Sequence, residues 1–106
     1  MSVDWLPRAD GTSPWSEVHV VVAGIGVSGF AAADGLIEFG ASVTVLDDRV
    51  DSANSDKATL LETLGGTVRL GPGSTAQLPA HADLVITTGW PASAPLLVQA
   101  AARGVP

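Results

Sequence analysis

The 106-residue chain has no cysteine, which excludes disulfides, iron–sulfur clusters and thiolate zinc sites. Basic residues are scarce, five against eleven acidic ones, for a net charge of −6 and a pI near 4.4. Such a field opposes phosphate backbones and anionic lipid, so neither nucleic acid nor a membrane surface is an expected partner. A small anionic ligand stays open, because local dipoles decide its binding. Lys57 is the only lysine and follows no glycine run, so no G-x-x-x-x-G-K-[ST] loop for ATP phosphates exists. The two histidines, His19 and His81, are 62 residues apart and lack metal-ligand spacing. No metal site is expected. No serine, histidine and acid form a nucleophile set, and no catalytic residue is expected in this chain.

The one long apolar stretch, residues 18–37, is interrupted by Gly24, Gly26, Gly29, Gly35, His19 and Asp34. Asp4, Arg8, Asp10 and Glu17 precede it, which is not a basic leader. These features argue against a membrane span or a signal peptide and make the cytoplasm the default compartment. Leu, Ile, Val and Phe together number 29 of the 106 residues, and Gly plus Pro number 19. The first fraction is above the floor for folding and the second is below the low-complexity range. The length allows one hydrophobic core.

Residues 1–17 lack periodicity and read as a loose arm, with Trp5 and Trp15 as anchors on the surface of the domain that follows. From residue 18 to 106 short apolar runs alternate with helical patterns. Residues 18–23 form a β-branched run suited to a strand covered on both faces. After the glycines, Phe30, Ala33 and Ile37 share a helix face, and Gly40 supplies a left-handed stop. Residues 43–46 make a second strand. Ser55 is expected to cap a helix that carries Leu60, Leu61 and Leu64 on one side and ends at Gly65. Residues 67–70 are a third strand, Gly71-Pro72-Gly73 a turn, and residues 84–87 a fourth strand. Ser93 and Pro95 open a last helix closed by Arg103 and Gly104. The order β-α-β-α-β-loop-β-α predicts an α/β, Rossmann-like doubly wound parallel sheet. A fifth strand is due at Val105-Pro106, so the sheet reads as truncated before or at it, and the chain as a piece of a longer polypeptide.

The strongest chemical signal is Gly24-Ile25-Gly26-Val27-Ser28-Gly29, a G-x-G-x-x-G between a strand and an amphipathic helix. Gly24 permits the tight turn, where a side chain would clash. Gly26 lacks the Cβ that would hold a diphosphate away, and Gly29 lets the helix lie close to the sheet. The amides of Val27, Ser28 and Gly29 then stand free at the positive end of the helix dipole, which suits a pyrophosphate. Asp47 follows Gly29 by 18 residues, near the spacing at which an acid meets a ribose or a base. A carboxylate accepts hydrogen bonds only, so it selects hydroxyls or ring N–H groups. Arg49 has a planar fork able to stack on a base or reach a phosphate. Asp48 reads first as an ordinary polar loop residue. Thr87-Thr88-Gly89-Trp90-Pro91 closes the fourth strand, where a small loop with backbone N–H groups could face the same diphosphate.

Three readings fit these residues. One is a nucleoside-diphosphate substrate site. The second is an NAD(P)-binding domain of a dehydrogenase or nucleotide sensor, since that ligand also contains a ribose and a diphosphate. The third is a ligand-free interaction module whose glycines only pack.

Together, VVVAGIGVSGFAAADGLIEFGASVTVLDDR and ADLVITTGWPASAPLLVQAAARGVP resemble the amino-terminal domain of the Mur ligases, over residues 18–106. The similarity is greatest to the branch that adds D-glutamate to UDP-N-acetylmuramoyl-L-alanine in peptidoglycan synthesis. The resemblance implies a domain that holds the UDP part of that substrate rather than NAD. It implies that Gly26, Val27, Ser28 and Gly29 meet the diphosphate, with Thr88 and Gly89 closing from the far side. It places Asp47 on the uracil, with the Asp48 backbone and the Arg49 side chain beside it. It also implies ATP-driven amide formation, with ATP and magnesium held by central and carboxy-terminal domains of the same polypeptide and no cofactor here. A 106-residue piece of this kind anchors substrate and is inactive alone. Two departures are visible: the family's Ser-Pro-Gly or Thr-Pro-Gly loop is Thr87-Thr88-Gly89 here, and Asp48 stands where a neutral residue is common.

Overall fold

The computed structural model describes residues 14–87, 90 and 93–106. Its strands are β1 (His19–Ala23), β2 (Ser42–Asp47), β3 (Thr67–Leu70) and β4 (Leu84–Thr87). The helices are α1 (Val27–Glu38), α2 (Ser52–Thr63) and α3 (Pro95–Ala102). All strand pairings are parallel and the sheet order is β3-β2-β1-β4, the doubly wound arrangement expected from the alternation. Val20 pairs with Val43 on one side and Leu84 on the other, and Val45 pairs with Val68.

Because side chains alternate along a strand, this register sorts the apolar residues into two layers. Val20, Val22, Val43 and Val45 face α1 and α2, meeting Ala33, Leu36, Ala58 and Leu61. Val21, Ala23 and Leu46 face the other way, onto Leu78, Ala82, Leu96 and Ala100. Ile25, Leu46, Leu61 and Leu96 are wholly enclosed, each contributing about 1.5–3 kcal/mol of burial.

Among the described residues the second layer has one helix, α3. The rest of its cover is the segment between β3 and β4, which carries no helical repeat of its own. α3 straps it down with two residues one turn apart. Gln99 accepts from the Leu78 N–H at 2.8 Å and donates to the Ala76 carbonyl. Arg103 donates to the carbonyls of Leu78, Pro79 and Ala80. These bonds satisfy backbone groups that a helix would have satisfied internally.

Glycine stops fall where the pattern places them: Gly40, Gly65 and Gly104 have φ of +93°, +102° and +68°. The cap of α2 does not. Ser55 lies inside the first turn, and its N–H donates to the Asp51 carbonyl. Asp51 is the N-cap, its carboxylate accepting the Asn54 N–H at 2.8 Å. The helix starts earlier because Asn54, which is buried, also ties the preceding loop through Nδ2 to the Arg49 carbonyl.

Residues 1–13 of the expected arm lie outside the described residues. Its last part is a 3-10 turn, Trp15–Glu17, and Trp15 is buried against the α1 layer, stacked on Phe39 at 6.1 Å. At the other end, the Val85 N–H on the outer edge of β4 donates to the Pro106 carbonyl at 2.9 Å. No helix among the described residues is long and apolar enough to cross a membrane.

Candidate functional site

In an open parallel sheet, ligands sit outside the carboxyl ends of the strands, where connections leave in opposite directions. Here that point lies between β1, whose chain turns into α1, and β4 on its other flank. The glycine loop occupies it. Gly24 has φ +102°, and a Cβ there would meet nothing within 4 Å. The constraint on Gly24 is therefore backbone conformation, not the side-chain clash expected from sequence. Gly29 is the position with no room, because a Cβ would overlap the Gly24 carbonyl oxygen. At Gly26 a Cβ would again meet nothing, which leaves open space in front of the loop.

Gly26 is also the N-cap of α1, and no side chain caps that end. The first bond into the helix is the Phe30 N–H to the Gly26 carbonyl at 2.8 Å. The amides of Val27, Ser28 and Gly29 precede it and belong to the orphan donors of a first turn. No acidic residue lies in that turn to neutralise the dipole. Val27 and Ser28 are exposed, and Gly29 is buried against the strand. Such an end attracts an anion.

The end of β2 closes against this loop. The Ile25 N–H donates to Asp47 Oδ2 at 2.9 Å, and the Arg49 N–H donates to Asp47 Oδ1 at 2.8 Å. Asp47 therefore joins the glycine loop to its own turn, and each oxygen keeps a lone pair for another donor. Asp48 points elsewhere: its two oxygens accept the N–H and the hydroxyl of Thr75, each at 2.9 Å. Arg49 is 80% exposed, touching the Asp51 carboxylate at 3.4 Å. An exposed pair of this kind contributes about 0–1 kcal/mol and leaves the guanidinium able to move.

Gly26, Val27, Ser28, Gly29, Asp47, Asp48 and Arg49 are thus gathered at the carboxyl end of the two interior strands. Thr88 and Gly89 lie outside the described residues. Trp90, just beyond them, packs on the second layer of the core. Sequence reasoning missed Ile25, Asn54 and Thr75 as the groups that fix these loops. Only the buried side chain of Asn54, a polar residue on a helix face with Ala58 and Leu61, left a trace in the pattern.

The histidines stand at the opposite end of the sheet. His19 Nε2 lies 2.8 Å from Thr44 Oγ1, and the His81 ring meets the His19 ring edge-on at 3.8 Å. Burial lowers the His19 pKa, the His81 charge lowers it further, and Asp83 opposes both. Among the described residues no group of three or more histidines, aspartates or glutamates could hold a metal ion.

Comparison with known proteins bears on this geometry. The family model for the alanine dehydrogenase/PNT C-terminal domain matches residues 8–102. UDP-N-acetylmuramoylalanine--D-glutamate ligase of Streptomyces avermitilis is 48% identical over 93 residues, covering 87% of this chain and 20% of that protein. The enzyme of the same name from Thermobifida fusca is 49% identical over 88 residues, covering 82% and 18%. Among solved structures, the ligand-free 5-ketofructose reductase of a Gluconobacter strain aligns with a TM-score of 0.53 and 25% identity, over 67% of this chain and 26% of its own. The chain spans about a fifth of the length of the curated relatives it matches.

Proposed function

The chain belongs to the alanine dehydrogenase/PNT C-terminal domain family, and from that premise we propose that it is the UDP-substrate-binding domain of a UDP-N-acetylmuramoylalanine--D-glutamate ligase. The family supplies the Rossmann-like scaffold. The relatives at 47–49% identity supply the chemistry, since all of them carry the ligase name. They favour this reading over an NAD(P)-binding dehydrogenase or sensor domain, although both ligands contain a ribose and a diphosphate.

The observation that carries the proposal is the Ile25–Asp47 bond. It sets an acceptor-only group beside an uncapped helix N-terminus, and a nucleoside diphosphate presents both matching parts on one molecule. In this reading the amides of Val27, Ser28 and Gly29 bind the diphosphate in the space that Gly26 leaves open. Thr88 and Gly89 close over it. The free lone pairs of Asp47 accept from the uracil, the Asp48 backbone lies alongside, and the Arg49 guanidinium covers the base.

The sequence carries no G-x-x-x-x-G-K-[ST] loop for ATP phosphates, and in this reading ATP and magnesium bind elsewhere in the full-length enzyme. Those groups, with the joining of the alanine carboxyl to the D-glutamate amine, are assigned to central and carboxy-terminal domains of the full-length enzyme, working in the cytoplasm. The 106 residues bind substrate and do not turn it over alone.

Calorimetric titration with UDP, UDP-N-acetylmuramoyl-L-alanine and NADH tests the reading. Both uridine compounds are expected to bind, and Gly26→Val is expected to abolish that binding while the thermal transition persists. Tight NADH binding with no response to either uridine compound would overturn the proposal.

A further inference from the structure

Asp48 follows the residue assigned to the base, yet both of its carboxylate oxygens are already used. Thr75, 27 residues away in sequence, donates its N–H to one and its hydroxyl to the other. Thr75 sits in the turn that leaves β3. That turn starts beside Asp47, with the Gly71 N–H on the Asp47 carbonyl at 3.0 Å. It is folded by Ser74 N–H to Gly71 O and Ala76 N–H to Gly73 O, and Gln99 holds its far end at Ala76. On the other side of Asp48, the Arg49 backbone is fixed by Asp47 Oδ1 and by Asn54 Nδ2. The Asp48–Arg49 segment is therefore held between Thr75 and Asn54, while the Arg49 guanidinium makes an exposed contact with Asp51 that a ligand can displace.

We propose that Thr75 is a positioning residue for the nucleoside end of the site. Through Asp48 it holds the 71–76 turn as the outer wall of that end and sets the direction of Arg49. The proposal rests on the uridine-diphosphate reading above. It also accounts for a negative charge next to an anionic ligand: the Asp48 carboxylate is turned onto Thr75 and serves the site without touching the base. The diphosphate end, built on α1, lies outside the reach of this latch.

The test is titration of the isotope-labelled 106-residue chain with UDP and with inorganic pyrophosphate, followed by amide chemical shifts. Thr75→Val keeps the backbone donor and removes the hydroxyl. Because the pair is exposed, loss of one hydrogen bond to a carboxylate is expected to weaken UDP by roughly 5-fold, with pyrophosphate affinity unchanged within about twofold. Thr75→Ser restores the hydroxyl and is expected to bind both ligands as wild type does. Asp48→Ala breaks the latch from its other side and should lower the UDP-to-pyrophosphate affinity ratio in the same direction. Wild-type UDP affinity in Thr75→Val refutes the positioning role while leaving the uridine reading in place. Equal weakening of UDP and pyrophosphate refutes it too, since that is the signature of general loosening. A wild-type chain that binds pyrophosphate but shows no gain for UDP overturns the uridine reading itself, and the latch proposal with it.

Discussion

A methyl group placed at each of the three glycines of the β1–α1 loop is expected to have three separable effects. At Gly29 the new Cβ overlaps the carbonyl oxygen and carbon of Gly24, with Val22 Cγ1 3.6 Å away. Both clashing partners are backbone, so no side chain can swing aside and α1 must lift from β1. Overpacking of this kind costs about 1–3 kcal/mol, and a backbone collision belongs at the upper end. The better helix propensity of alanine offsets about 1 kcal/mol. The net loss of about 2 kcal/mol corresponds to a fall in Tm of roughly 8–16 °C for a domain of this size. Gly24→Ala meets no atom but must hold φ at +102°, a strain of about 1–3 kcal/mol. Gly26→Ala has φ −61° and open space, so its stability should stay within about 0.5 kcal/mol of wild type. Its UDP affinity should fall about tenfold or more, because the methyl group stands where the diphosphate approaches the backbone. Thermal denaturation by circular dichroism, paired with UDP titration, reads all three. A Gly29→Ala protein that melts with wild type, or a Gly26→Ala protein that melts as early as Gly29→Ala, refutes the packing argument.

Two further outcomes follow from particular bonds. Asp51→Ala removes the cap of α2 and is expected to destabilise by about 1 kcal/mol, lowering Tm by roughly 4–8 °C, while Ser55→Ala leaves Tm near wild type; the reverse order would mean that α2 starts where the sequence pattern alone places it. His19 has a folded-state pKa below its ordinary value of 6.5, so the unfolded chain takes up its proton first as pH falls. Its contribution to stability is therefore complete above about pH 6.5 and is lost as pH drops from there through the lowered folded value. Tm measured from pH 7.5 down to 5 should fall more in wild type than in His19→Gln, and parallel curves would show that the half-buried His19 does not carry this dependence.

The fold was legible where one local feature decides an element. The β-branched run of β1, the glycines that stop α1, α2 and α3, and the Gly71-Pro72-Gly73 turn each act through conformations that few residues adopt. The cap of α2 was not legible, because Asp51 and Ser55 are both good caps and the choice rests on Asn54 reaching back to the Arg49 carbonyl. The cover over the second layer was not legible either. Residues 71–83 carry no period, and what holds them is Gln99 and Arg103, more than twenty residues away. The same applies to the site. Spacing singled out the glycine loop and Asp47, but Asp48 acquires its role from Thr75, and no local pattern marks a partner at that distance.

The most direct measurement is a crystal structure of the chain bound to UDP-N-acetylmuramoyl-L-alanine. The account predicts diphosphate oxygens within about 2.7–3.2 Å of the Val27 and Ser28 amide nitrogens, with the uracil against Asp47. A bound ligand whose diphosphate lies away from the start of α1 would contradict it.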